Sequence, residues 1–143
     1  MADSLRYYIA HNGGLKVMRS AGGGMNTVGE FFQGKTLEHL IGSRQKPELV
    51  FAAVAFDGGY RTEDAGRNWT KVMDGDVRTF TVDPHDERVV YMGTGPIRLF
   101  RSEDAGKTWE PLDGMLDFGD DVKKKWGVPP RLVGIEFPHV RHI

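Results

Sequence analysis

The sequence predicts an all-β protein made of repeated units, each with four short antiparallel strands. Three observations support this class: a motif of nine residues that occurs twice, a displacement of 40 residues between its copies, and short runs rich in Val, Thr, Phe and Tyr between turn signals. Helical periodicity is hard to find along the chain. Such a period is typical of an array of small supersecondary units, so the repeat indicates the architecture.

The repeated motif runs from Arg61 to Trp69 and returns from Arg101 to Trp109. Aligning the two copies also superimposes Arg78 to Thr94 on Glu38 to Val54 at the same displacement. The similarity therefore covers whole units and is not confined to the motif. The two full repeats are 38–73 and 78–112.

A degraded third copy precedes these repeats and spans 7–34. Its Gly13 to Ser20 stretch stands where Gly58 to Thr62 has its counterpart, and Gly22 stands opposite Asp64.

The start of a fourth unit follows the second full repeat. Its stretch from Arg131 to His139 resembles Arg78 to His85, with one residue inserted, and its first strand is expected at 131–137. The stretch 111–130 is then a long loop between the last full repeat and this new strand. The whole chain, 1–143, is expected to form one domain.

Within the last full repeat, local signals place four strands of about five residues, which is the plan of a propeller blade. The predicted strands are 78–82, 88–92, 97–101 and 108–112. The first two are separated by Asp83 to Asp86, which is a turn by composition. Thr36 to Ile41 has some helical character, but its alignment with 78–82 favours a strand.

The motif has a physical rationale as a tight turn. Gly66 and Gly106 permit a backbone conformation that a side chain would obstruct, and the carboxylates of Asp64 and Asp104 accept hydrogen bonds from turn amides. Large indole rings then pack beside the turn. The residues expected to be structural are Thr62, Asp64, Gly66, Trp69, Ser102, Asp104, Gly106 and Trp109.

The spacing from Ser102 to Trp109, Ser-x-Asp-x-Gly-x-x-Trp, resembles the Asp-box, also called the BNR repeat. This box is found in sialidases, xyloglucan-cleaving glycosidases, sortilin-type receptors and photosystem assembly factors. The resemblance covers nearly all of the chain and implies a β-propeller. It also implies that the box turns lie on the rim, away from a ligand face built from the loops between blades and the middle-strand hairpins. The families share the fold without sharing an activity.

Composition excludes several classes of function. With 19 basic and 20 acidic residues the formal charge is −1, so there is no electrostatic case for nucleic acid or an anionic membrane surface. The absence of cysteine excludes disulfides and thiol catalysis, and the five histidines lack the spacing of metal ligands. No secretory signal or bilayer-spanning apolar run is seen. We therefore expect a cytoplasmic location, no metal and no cofactor.

The number of repeats predicts association. Closed propellers usually have about four to eight blades, whereas this chain encodes about three, and the exposed faces of an open array drive contact with another molecule. The chain enters its first blade at the second strand, Tyr7 to Ala10. One hypothesis is that 131–137 completes the first blade of another copy, so that two chains close a six-bladed ring. The other is that the chain is the opening portion of a longer propeller.

The long loop offers the candidate ligand site, because irregular insertions in compact folds are often functional. It carries carboxylates, a lysine cluster and an indole that would suit stacking on a sugar, while two arginines open first strands near the central channel. The candidate ligand-binding residues are Asp117, Asp120, Asp121, Lys125, Trp126, Arg78 and Arg131.

The function predicted is a binding or scaffold module for a protein or glycan. The alternative is a glycoside hydrolase of the sialidase or xyloglucanase type, which requires a catalytic pair of carboxylates or a tyrosine nucleophile. The sequence does not allow the acid, the nucleophile or a full arginine triad to be placed, so no catalytic residue is assigned.

Overall fold

The computed structural model describes residues 5–116, which form three antiparallel sheets. Blade 1 contains β1 (Arg6–His11), β2 (Gly14–Ala21) and β3 (Gly24–Phe31). Blade 2 contains β4 (Leu37–Gly42), β5 (Val50–Val54), β6 (Gly58–Thr62) and β7 (Thr70–Asp74). Blade 3 contains β8 (Asp76–Val82), β9 (Val90–Gly95), β10 (Arg98–Ser102) and β11 (Glu110–Pro111), and a short 3-10 helix follows at Asp113–Leu116. The predicted all-β class is confirmed.

Every sheet is a meander in which each strand pairs with its neighbour in sequence. The register repeats between blades: Phe51 lies opposite Arg61 in blade 2, and Tyr91 lies opposite Arg101 in blade 3. Both pairs are related by the displacement of 40 residues seen in the sequence. The internal repeat is therefore a repeat of strand pairing as well as of residues.

The observed strand limits differ from the predicted ones in all four strands of blade 3: β8 begins two residues earlier, and β10 lies one residue further along the chain. The strand predicted at 88–92 begins at Val90, because the amide of Val89 still donates to the carbonyl of Asp86 within the preceding turn. The strand predicted at 108–112 is reduced to Glu110–Pro111. The ambiguous segment near Thr36 is a strand, at Leu37–Gly42.

The turns between first and second strands also repeat. In blade 2 the hydroxyl of Ser43 accepts bonds from amides two and three residues further on, at 3.2 and 3.1 Å. In blade 3 the carboxylate of Asp83 accepts the equivalent bonds at 2.8 and 3.3 Å. A short polar side chain at this position thus closes both turns, which explains the turn signal in the sequence.

Blade 1 departs from the pattern at the place where the others have the repeated motif. Its β2 and β3 are joined by Gly22 and Gly23, which have φ angles of +59° and +80°. Two successive positive φ angles define a two-residue type I′ hairpin. The alignment of Gly22 with Asp64 is therefore wrong in structural terms, since a tight hairpin replaces the longer turn and allows β2 and β3 to extend to 8 residues each.

The core lies between blades 2 and 3. The rings of Phe51 and Phe80 are 5.2 Å apart, and Trp109 lies 5.9 Å from Phe80. The fully buried members of this core are Leu49, Phe51, Ala53, Val77, Phe80, Val90 and Met92. Face-to-face packing of neighbouring blades, and not packing within a single sheet, therefore holds this part of the chain together.

Aromatic rings fill the space between blades 1 and 2. Trp69 of blade 2 contacts Tyr8, Phe31 and Phe32, with centroids 6.5, 6.3 and 5.5 Å away. These edge-to-face arrangements are the favourable ones for aromatic pairs. Residues 5–116 include no helix with the length and apolarity needed to span a bilayer.

Candidate functional site

The meander gives the blades two chemically different ends. One, here called the box end, carries the two turns formed by the repeated motif, from β6 to β7 and from β10 to β11, which are here called the box turns. It also carries the turns that follow β4 and β8. The other, here called the hairpin end, carries the β5–β6 and β9–β10 hairpins and the links between blades. The predicted structural residues lie at the box end, and Arg78 lies at the hairpin end.

The box turn of blade 2 is a closed hydrogen-bond network. The hydroxyl of Thr62 donates to the Asp64 carboxylate at 2.7 Å and accepts from the Gly66 amide at 3.0 Å. The same carboxylate oxygen accepts from the amides of Arg67 and Asn68 at 3.0 and 2.9 Å. The side-chain amide of Asn68 donates to the second oxygen at 2.7 Å.

Blade 3 repeats this network. Ser102 donates to Asp104 at 2.8 Å and accepts from the Gly106 amide at 2.8 Å. The Asp104 carboxylate accepts from the amides of Lys107 and Thr108 at 2.9 Å each, and from the Thr108 hydroxyl at 2.6 Å. Both oxygens of each aspartate are thus engaged inside the turn.

These bonds control the charge of the aspartates. Partial burial raises the pKa of Asp64, but hydrogen bonds from Asn68, Thr62 and Arg67 outweigh it and lower the pKa to about 2. Hydrogen bonds from Thr108 hold the pKa of Asp104 still further below its ordinary value. Both carboxylates are ionised at neutral pH and are directed at their own turn, which is the geometry of a structural element.

The box turns contain a feature that sequence analysis missed. Ala65 and Ala105, as well as the glycines that follow them, have left-handed φ angles, which for the alanines are +60° and +59°. Alanine seldom adopts this region, so its presence there gave no signal. The amide of Ala65 donates to the Glu48 carbonyl at 3.0 Å, and that of Ala105 donates to the Arg88 carbonyl at 2.8 Å, which fixes the turn against the preceding loop.

The hairpin end presents an unusual aromatic side chain at the β5–β6 turn. Phe56 is 72% exposed and has a φ of +54°, in a turn closed by a bond from the Asp57 amide to the Val54 carbonyl at 3.1 Å. The guanidinium of Arg78 lies 4.8 Å from the centre of its ring. This cation–π contact orients the ring while leaving most of it accessible.

Arg78 also connects the first strands of two blades. Its guanidinium lies 3.0 Å from Glu38 of β4 and 2.7 Å from Asp76 of β8. The arginine side chain is 10% exposed, whereas those of Glu38 and Asp76 are 34% and 21% exposed. Arg78 therefore holds two solvent-accessible carboxylates beside Phe56.

A second group of charged and polar side chains, Asp57 with Lys35 and Tyr60, lies next to the same hairpin. Asp57 is 2.7 Å from the Lys35 ammonium and accepts a hydrogen bond from the Tyr60 hydroxyl at 2.5 Å. The hydrogen bond from Lys35 lowers the pKa of Asp57, with a further contribution from Tyr60. Burial and the bond to Asp57 raise the pKa of Tyr60. A bond to Asp74 raises the pKa of Lys71, beside the Tyr60 ring, to about 12.

We define the hairpin-end site as Glu38, Phe56, Asp57, Asp76 and Arg78. It combines one exposed ring with carboxylate oxygens that are oriented by fixed cations, an arrangement suited to binding. Within residues 5–116, every carboxyl group whose pKa departs clearly from its ordinary value has a lowered pKa. A general acid for glycoside cleavage requires a raised one.

Of the predicted ligand-binding residues, Arg78 is the one that lies within the described residues. Arg78 belongs to the hairpin-end site, with Glu38, Phe56, Asp57 and Asp76 as partners that the sequence analysis did not select. An apolar aromatic at the tip of a predicted hairpin was the signal that would have found Phe56. The other predicted ligand residues, Asp117, Asp120, Asp121, Lys125, Trp126 and Arg131, lie outside the described residues. Residues 5–116 contain no cluster of three or more His, Asp or Glu side chains arranged to hold a metal ion.

No protein-family model matches the chain, and no curated protein matches it. Several solved structures match the chain. The GH74 xyloglucanase of Xanthomonas campestris is 20% identical, with a TM-score of 0.56 over 79% of this chain and 22% of that one. An ancestral GH74 enzyme is 16% identical, with a TM-score of 0.60 over 80% of this chain and 18% of that one.

A third solved structure, YCF48 bound to D1 peptide, is 16% identical, with a TM-score of 0.54 over 75% of this chain and 36% of that one. These neighbours are β-propeller proteins, so the similarity shows the fold to which the three described sheets belong. The chain corresponds to about a fifth of each GH74 enzyme and about a third of YCF48.

Proposed function

We propose that this chain is an Asp-box propeller segment that acts as a binding module, with the hairpin-end site as its ligand face. The observation that carries the proposal is Phe56, a large apolar ring that is 72% exposed and held in place by Arg78 at a strained turn. Exposing such a ring has no benefit for folding, because burial of apolar surface is what stabilises a fold. A ligand that stacks on this ring would bury its apolar surface.

A glycan is the ligand class that this face fits best. The C–H faces of a sugar ring stack on an aromatic ring, and sugar hydroxyls donate hydrogen bonds to carboxylates. Partly exposed acceptor oxygens are provided by Glu38 and Asp76, which pair with the Arg78 guanidinium beside the Phe56 ring, and by Asp57, the residue that follows Phe56; their side chains are 34%, 21% and 22% exposed. The similarity to xyloglucanases supports the use of xyloglucan oligosaccharides as the first probe.

A protein ligand and glycoside hydrolysis are the second candidates. YCF48 carries a bound D1 peptide, which supports testing extended peptides on the same face of this chain. The GH74 neighbours support testing hydrolysis, although the lowered pKa of Asp57 favours ligand binding over proton donation by that residue.

The test is isothermal titration of the full chain with xyloglucan oligosaccharides and, separately, with a set of extended peptides. We expect the oligosaccharides to bind and Phe56→Ala to weaken binding at least tenfold, which corresponds to about 1.4 kcal/mol of lost stacking. Reducing-sugar release during long incubation measures hydrolysis in the same samples.

Met25→Ala is the matched control, since Met25 is also an exposed apolar residue, at 48%, but lies on β3 of blade 1. It is expected to leave binding unchanged. If the oligosaccharides fail to bind, or bind equally well to the Phe56→Ala variant, the glycan assignment is wrong. Binding of a peptide alone shifts the assignment to a protein ligand, and sugar release shifts it to a hydrolase.

A further inference from the structure

In blades 2 and 3 the first strand, β4 or β8, is here called the inner strand, and the last strand is called the outer strand. At the inner edge of blade 1, the described residues include no such first strand. In blades 2 and 3 the second strand pairs on both sides, whereas β1 pairs only with β2. The Ser20 amide donates to the Leu5 carbonyl at 2.9 Å, which sets the alternation of the β1–β2 ladder. Every second residue of β1, starting from Leu5, is therefore hydrogen-bonded to β2. The backbone N–H and C=O groups that point away from β2 are those of Arg6, Tyr8 and Ala10.

A cleft lies along this edge. It has a volume of about 700 Å³ and is bounded by Leu5, Arg6 and Tyr8 of blade 1 and by Leu40 and Ile41 of blade 2. The equivalent position in blade 3 is occupied by β8, which lies between β9 and the β4 strand of the preceding blade. The cleft is therefore where an inner strand of blade 1 would lie.

The described residues also leave exposed the face of blade 1 that points away from blade 2. The glycine of the blade 2 box packs on Tyr8, just as the glycine of the blade 3 box packs on Phe51. By this correspondence Tyr7 is equivalent to Val50, and Ile9 is equivalent to Ala52. Tyr7 and Ile9 are 40% and 44% exposed, whereas Val50 and Ala52 are 3% and 0% exposed. In blade 2 those positions are buried, whereas in blade 1 the described residues leave them exposed.

We propose that segment 131–137 of a second copy of this chain pairs with β1 and fills the cleft. Along the chain, the outer strand of each blade is followed by the inner strand of the next, as β7 is followed by β8. Segment 131–137 follows blade 3 and resembles β8 in sequence. It therefore belongs to the next blade position around the ring, and blade 1 of a second copy offers that position with its inner strand unfilled.

The exchange is reciprocal. Each copy gives one strand to the other and stacks its blade 3 on the partner's blade 1, which covers Tyr7 and Ile9 and closes six blades around a two-fold axis. The donated strand also pairs the open backbone groups of β1, whose exposure invites association. This proposal concerns assembly and holds whether or not the hairpin end binds a glycan.

The repeat predicts the register of the exchanged strand. Pro138 corresponds to Pro84, which equates Glu136 with Val82, and Val82 lies opposite Val90 in blade 3. Since Val90 corresponds to Val50 and hence to Tyr7, Glu136 is expected opposite Tyr7. The full chain has no cysteine, so the double variant Tyr7→Cys/Glu136→Cys introduces the only two thiols.

The test is mild oxidation of this variant, followed by non-reducing electrophoresis. We expect most of the protein at twice the chain mass of 16.0 kDa, returning to a single chain after reduction. Met25→Cys/Glu136→Cys is the control, because Met25 is exposed on the outer strand β3, and it is expected to stay at the mass of one chain. Light scattering of the unmodified chain is expected to give a discrete dimer.

Three results overturn the proposal. A disulfide within a single chain would show that the segment completes its own blade. Equal cross-linking of the control would show random collision. A monomeric native mass with no cross-link would show that the cleft is filled by something other than this segment, such as blades of a longer propeller.

Discussion

At the scale of single residues, the box glycines have two separate reasons to lack a side chain. Gly106 has a φ of +79°, and a Cβ atom built on it would overlap the Phe51 ring of the preceding blade. Gly66 is constrained in the same way by Tyr8 and Val17, at 2.9 and 3.0 Å. The box glycine is thus a contact between blades as well as a turn residue.

Three substitutions separate these reasons. Gly75→Ala tests backbone strain alone, because its φ is +96° and the space is open, and is expected to cost about 1–2 kcal/mol. Gly59→Ala tests crowding alone, with a Cβ 2.6 Å from Phe80, and is expected to cost about 1–3 kcal/mol. Gly106→Ala combines both effects and should cost the most in urea unfolding. A cost for Gly106→Ala no larger than that for Gly75→Ala would contradict the contact between blades.

The box aspartates predict how stability depends on pH. The pKa of Asp64 is about 2 in the folded chain and about 4 when unfolded, so the unfolded chain binds more protons between these values. Its contribution is complete above about pH 4 and is lost as the pH falls towards about 2. Asp104 acts in the same direction. We expect the midpoint of urea unfolding to fall over this range, and to fall less in Asp64→Asn. An unchanged slope in that variant would show that the box carboxylate does not contribute.

At the scale of elements, stability depends on the faces between blades. Each sheet has three or four strands, and its apolar residues are covered mainly by the neighbouring blade. The buried rings of Phe51 and Phe80 lie where blade 2 meets blade 3, and the half-buried ring of Trp69 packs against blade 1. Blades 2 and 3 are therefore expected to unfold together.

A pair of phenylalanines tests this view. Phe51 is fully buried between blades, whereas Phe56 is 72% exposed on the hairpin. Phe51→Ala is expected to lower the free energy of unfolding by about 3–5 kcal/mol, because it leaves a cavity. Phe56→Ala is expected to change it by less than about 0.5 kcal/mol. Urea unfolding measures both, and a large cost at Phe56 would mean that the exposed ring has a structural role.

At the scale of the whole molecule, the decisive feature is the edge and face of blade 1 that residues 5–116 leave uncovered. If a second copy covers them, folding and association are linked, and thermal stability depends on protein concentration. We expect the unfolding midpoint of the unmodified chain to rise with concentration. Ile9→Lys places a charge on the uncovered face and is expected to remove that dependence, whereas Met25→Lys is expected to keep it. The same dependence in Ile9→Lys would place the interface elsewhere.

The sequence by itself determined the all-β class, the 40-residue unit, the turn residues and the strand order of blades 2 and 3. These follow from local signals, because turn chemistry at Asp64 or Asp83 and short β-rich runs act within a few residues. The hairpin that replaces the box in blade 1 was missed, since Gly22 fits either turn in an alignment.

Only the tertiary structure decided the hairpin-end site and the cleft beside β1. Phe56, Glu38 and Arg78 are far apart in sequence and meet because blades 2 and 3 stack with their inner strands adjacent. The exposure of Tyr7 and Ile9 is likewise a property of what packs on them, while their sequence pattern is that of a buried strand. Contacts between repeats are set by the geometry of stacking, and a pattern within one repeat does not contain that information.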